Sequence, residues 1–112
     1  MGSFAAGSVV LVRFPFSDLS HSKLRPAIVL GASGRGDWLL CQLTSNPYSD
    51  ARAIPLTEKD FRTGSLHRAS YARPAKLFTA HESLVFSEIA VLREESLGRI
   101  IDAIIQFLRP GP

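Results

Sequence analysis

Apolar and polar positions fall in short runs along most of the chain and change to a helical period at its end. Residues 9–14, VVLVRF, are apolar on both faces except at Arg13, which is the pattern of a strand covered on both sides. Pro15 cannot donate to a ladder, so strand pairing is expected to weaken there. Residues 16–24 hold Ser17, Asp18, Ser20 and Ser22, all turn formers, and read as a loop. Pro26 biases Arg25 towards an extended backbone, and residues 27–30 form a second strand. A glycine-rich turn, ASGRGD at 32–37, leads to a third strand at 38–44. Alternation there sends Leu39, Cys41 and Leu43 to one face and Trp38, Leu40, Gln42 and Thr44 to the other. Residues 45–50 make a second polar loop, and residues 52–56 a short strand that Pro55 assigns to a sheet edge.

Beyond this point the pattern weakens. Thr57 is placed to cap one helical turn within 57–64. Residues 67–73 alternate as a strand with Tyr71 and Arg73 on one face. Pro74 marks a bulge or an edge, and the extended pattern resumes at 76–79. Residues 81–84 read as a connection and 88–92 as a last short strand, while residues 1–6 are expected to fray. The helix is clearest: Leu97, Ile100, Ile101, Ile104, Ile105 and Leu108 make one apolar stripe. Glu94 and Glu95 suit the positive end of its dipole, Pro110 stops it, and Gly98 invites close packing. Short strands followed by one terminal helix predict a small, bent antiparallel sheet or partly closed barrel with the helix packed on it.

Composition adds bounds. The 112 residues suit a single domain, 1–112, large enough for a core without staples. A hydrophobic fraction of 46% and a charged fraction of 21% are those of a soluble globular chain. One cysteine, Cys41, excludes an intrachain disulfide and a cysteine-built zinc site, and suits a cytoplasmic location. No signal-peptide pattern opens the chain, and its apolar runs are too short to span a bilayer. A net charge of +3 permits a polyanionic partner such as RNA, although on charge alone an ordinary surface is the simpler reading. His21, His67 and His81 are scattered without metal-ligand spacing, and no phosphate-cradling or dinucleotide glycine motif occurs, so neither metal nor cofactor is expected.

Four segments carry a more specific signal: GSVVLV at 7–12, RPAIVL at 25–30, QLTS at 42–45 and SYARPAKLFT at 70–79, followed by the helix. In that order they resemble the MazF/PemK family, the ribonuclease toxins of bacterial toxin–antitoxin pairs. The resemblance implies a small SH3-like antiparallel β-barrel with a C-terminal helix, a homodimer, and metal-independent cleavage of single-stranded RNA. It also implies a cognate antitoxin as partner. Arg25 and Thr44 match the family's active-site arginine and threonine. In such a reaction the RNA 2′-hydroxyl is the nucleophile and a 2′,3′-cyclic phosphate is left. The enzyme must stabilise a phosphorane and manage two proton transfers. Arg25 suits the first task, because a guanidinium presents a charged fork of donors to phosphate oxygens.

Other residues keep two readings each. His21, in the loop before Arg25, is an acid or base brought in by that loop, or a solvated histidine. Phe16 and Tyr71 are stacking platforms for bases or core residues. Ser45 and Asn46 are turn residues placed for RNA contact by their position beside Thr44. Lys23 and Lys76 are phosphate contacts or solvated lysines, and Arg73 matches an arginine that some members use at the cleavage site. One departure stands out: two residues after Arg73, many relatives have an aspartate where this chain has Ala75. That keeps a rival open, a binding module of the same fold that does not cut RNA. A toxin directed at DNA gyrase is a second alternative.

Overall fold

The computed structural model describes residues 4–15, 22–47 and 49–109. Among the described residues, seven strands and one α-helix follow in the order β1 (Ser8–Pro15), β2 (Ser22–Gly34), β3 (Asp37–Thr44), β4 (Ile54–Leu56), β5 (Phe61–Gly64), β6 (Ser70–His81), β7 (Val85–Leu92) and α1 (Glu94–Leu108). Short 3-10 turns at Glu58–Asp60 and Glu82–Leu84 precede β5 and β7. The strands form one antiparallel sheet in the order β4-β6-β3-β2-β1-β7-β5, which curls into a half-barrel with α1 packed against β6. The predicted barrel-like sheet with a terminal helix is therefore the observed architecture.

Both faces of the central strands are covered, as the near-continuous apolar run of β1 requires. On one face Val9, Ile28, Cys41, Leu43 and Ala72 pack with Ile100 and Ile104 of the helix. On the other, Val10, Val12, Ala27, Val29 and Leu40 pack with Phe4, Trp38, Phe78 and Val85. β3 alternates as its sequence predicts. Phe4 meets Trp38 edge-on at 5.9 Å, so the expected fraying does not reach residue 4.

Several boundaries differ from the sequence pattern. β1 stays paired through Pro15, opposite Ser22, and residues 22–24, read as part of the polar loop, belong to β2. β2 extends to Gly34, and Arg35 (φ 56°) and Gly36 (φ 81°) alone make the hairpin, a two-residue turn with both backbones left-handed. The Thr57-capped turn is present, with the Thr57 side chain accepting the Lys59 N–H. It is followed at once by β5, which has no period of its own to announce it. β6 is one strand rather than two. Between the pairs Leu43↔Ala72 and Cys41↔Leu77 its register shifts, and this bulge accommodates Pro74. Residues 67–69 precede the strand instead of opening it, and β4 does lie at the sheet edge.

Asp60 ties the helix to the sheet. Its carboxylate accepts the Thr57 N–H, the Ser96 hydroxyl and the Arg99 guanidinium. Burial opposes its charge, but these donors outweigh burial and hold the carboxyl below its ordinary value. Within the helix Ile100 and Ile104 are buried, whereas Ile105 and Leu108 are exposed, so only part of the predicted stripe faces the core. Gly98 packs against nothing: a Cβ built there has no atom within 4 Å. Close packing is thus not its role, and Gly98→Ala is expected to raise stability by about 1 kcal/mol in chemical unfolding.

Candidate functional site

The site forms where β2 and β3 end together. Arg25 pairs with Val12 on one side, and the β2–β3 register, continued two residues from Ala27↔Gln42, puts Arg25 opposite Thr44. Thr44 in turn pairs with Tyr71 of β6. Arg25, Thr44 and Tyr71 therefore lie in one row across three strands. The Thr44 hydroxyl accepts the Asn46 N–H at 3.1 Å and donates to the Asn46 carbonyl at 3.0 Å. This local turn ends β3 and fixes the backbone that carries Ser45 and Asn46.

Beside this row opens a cavity of about 310 Å³. Arg25, Thr44, Ser45 and Asn46 line it together with Arg68, Ser70 and an apolar wall that includes Leu11, Leu43 and Ile89. The charged residues among its described lining are the two arginines, Arg25 and Arg68. Guanidinium, hydroxyl and amide groups against an apolar wall make a site for an anion that also has a flat or apolar part. The wall supplies charge and hydrogen bonds.

Of the residues singled out in the sequence, Arg25, Thr44, Ser45 and Asn46 are brought together here. Tyr71 is half-buried in the adjoining row, while Lys23 and Lys76 are exposed and do not line the cavity. Phe16 and His21 lie outside the described residues. Arg73 is turned to another partner: its Nε donates to Asp50 Oδ2 at 2.8 Å, forming an ion pair. Asp50 comes from the loop after β3. The Arg73 side chain, and then the Arg52 N–H, hold the Asp50 carboxyl below its ordinary value. A carboxylate so stabilised is a weak base and neutralises Arg73.

Arg68 was not legible in the sequence. It belongs to the turn between β5 and β6, where His67 takes a left-handed backbone (φ 63°) and the Ser65 hydroxyl accepts the His67 N–H. Histidine tolerates that conformation better than most residues, which is the one local hint.

Cys41 lies behind the site, fully buried, with its thiol against the Arg73 carbonyl at 3.3 Å. Burial pushes the thiol up from 9.0 to about 11. In the unfolded chain it titrates near its ordinary value, so stability is fully present below that pH and is lost as pH rises through the folded value. A gap of that size corresponds to roughly 3 kcal/mol at most. The urea midpoint is expected to fall between pH 9 and 11, and to fall less in Cys41→Ala.

At the level of sequence, no protein-family model and no curated protein matches the chain. Solved structures do. MazF in the MazE–MazF complex of Deinococcus radiodurans aligns with a TM-score of 0.73 at 17% identity, over 95% of this chain and 96% of that one. An endoribonuclease bound to its cognate antitoxin, from a mycobacterial species, aligns at 0.70 and 16% identity over the full length of both. The Mycobacterium tuberculosis toxin MazF-mt6 aligns at 0.66 and 15% identity, over 87% of this chain and 91% of that one. The chain has the fold of the MazF toxins.

Proposed function

We propose that this protein is the toxin of a toxin–antitoxin pair and a metal-independent endoribonuclease on single-stranded RNA, acting on mRNA and so arresting translation and growth. One observation carries the reading: Arg25 and the run Thr44, Ser45, Asn46, separated by the β2–β3 hairpin, meet at one cavity that Arg68 also lines. Cleavage through the 2′-hydroxyl suits that wall, because the nucleophile belongs to the substrate and the enzyme's main task is to stabilise the phosphorane. Arg25 holds the non-bridging oxygens, and Thr44 adds a hydrogen bond at the end of β3. Proton transfer falls to His21, which comes just before β2 in the sequence. An acidic, apolar segment of the antitoxin would suit the same positive, partly apolar cavity. A homodimer belongs to this reading.

The endoribonuclease named among the structural neighbours, and its complex with a cognate antitoxin, support it. The rival reading, an RNA-binding module that does not cut, draws on the absence of a proton carrier among the described residues of the cavity wall. Incubation of the purified protein with a single-stranded RNA, and with the same RNA annealed to its complement, separates the two. Cutting of the single strand alone is expected. Tight binding with the strand left intact would support the module instead.

A further inference from the structure

Leu66 and Arg68 are a partition as well as a wall. On their far side lies a second cavity, of about 260 Å³. Its apolar side is Leu56 and Phe61, both part of the core and both reaching its surface. Its polar side is Thr57, Glu58, Ser65 and His67. Two neighbouring cavities that share one arginine match the repeat of a nucleic acid strand, in which a phosphate lies between successive bases.

The partition is held from both ends. Ser65 Oγ accepts the His67 N–H at 3.1 Å, and Ser70 Oγ donates to the Arg68 carbonyl at 3.3 Å. The Arg68 backbone is therefore set by its own turn, and its exposed side chain reaches both cavities. The second cavity differs from the first in charge. Glu58 lines it together with Arg68, and a carboxylate only accepts hydrogen bonds. It repels a phosphate but accepts from an exocyclic amino group, as acidic side chains do from cytosine N4. Uracil presents carbonyl oxygens on that edge and would set lone pairs against the carboxylate. The apolar side suits the face of a base.

We propose that the second cavity is a base subsite for the nucleotide next to the one held at Arg25. Arg68 grips the phosphate between the two, and Glu58 selects a base with an exocyclic amino group over uracil. This rests on the ribonuclease reading of the first cavity and adds a substrate preference to it.

The test uses the full chain and 2′-O-methyl oligo-C, oligo-A and oligo-U, which cannot be cut through the 2′-oxygen, with binding read by fluorescence anisotropy across a salt series. Oligo-C and oligo-A are expected to bind roughly tenfold more tightly than oligo-U. Arg68→Gln should weaken all three about tenfold and lower the salt slope by about 0.7, the share of one phosphate contact on a single strand. Glu58→Gln should narrow the gap by improving oligo-U, since an amide also donates. Circular dichroism of each variant guards against misfolding. Unmethylated RNA is assayed in parallel with wild type and Arg25→Ala. If Arg25→Ala stops cleavage while Arg68→Gln and Glu58→Gln bind as wild type does, the subsite is wrong and the ribonuclease reading stands. If both variants shift binding as expected while RNA stays uncut, the subsite stands and the ribonuclease reading fails. No binding by the wild type would overturn both.

Discussion

Arg25→Ala is expected to lower kcat/KM for cleavage of a fluorogenic single-stranded RNA by about 10²–10³-fold, the usual cost of removing one donor from a transition-state oxyanion site. The loss should fall mainly on kcat, because the phosphorane carries more negative charge than the bound phosphodiester. Arg25 is half-buried at the cavity, so the melting temperature of each variant is read alongside its rate. Arg25→Lys keeps the charge and loses the planar fork. It should recover part of the rate, at a level between alanine and wild type. A Lys variant no better than Ala would point to geometry over charge, and an Ala variant as active as wild type would remove Arg25 from the site.

The largest effect on stability is expected at a position with no chemistry. Gly64 ends β5 with φ of 75°, opposite Ala90 of β7. A Cβ there would lie 2.3 Å from the Ile89 carbonyl oxygen and 2.7 Å from the Ala90 Cα. Both are backbone atoms of a paired strand and cannot swing aside as a side chain would. Strain from the left-handed backbone adds to the clash, so Gly64→Ala should cost about 3 kcal/mol or more in urea unfolding. It should lower the melting temperature by roughly 12 °C or more. Because the next residues form the turn that carries Arg68, RNA binding measured below the transition should weaken as well. An unchanged midpoint would mean that β5 and β7 separate at little cost.

The contrast between these residues shows what the chain discloses before folding. β1, β3 and α1 were legible because their periods are strong: two-sided apolar, alternating and helical in turn. β5 was not, since Phe61–Gly64 is too short to show a period and follows directly on a capped turn. β6 read as two pieces because Pro74 lacks an N–H, and only its partner's register reveals that a bulge absorbs it. In the site, Arg25 and Thr44 came from a resemblance of ordered segments, and the strand register then placed them side by side. Arg68 had no such support, because its place depends on the turn at His67 bringing β5 and β6 around to the end of β3. Arg73 changed meaning for the same reason. Its partner Asp50 lies far away in sequence.

The central claim is that RNA is cut by its own 2′-hydroxyl at a cavity that supplies charge. The most direct measurement places the wild-type protein with a defined single-stranded RNA in excess EDTA and identifies the new ends, with a matched substrate carrying one 2′-deoxynucleotide at the cut position. The account predicts undiminished cleavage in EDTA, a 2′,3′-cyclic phosphate on the upstream product, and no cleavage at the deoxy position. Cleavage that needs an added divalent ion, or that proceeds at the deoxy position, would contradict it.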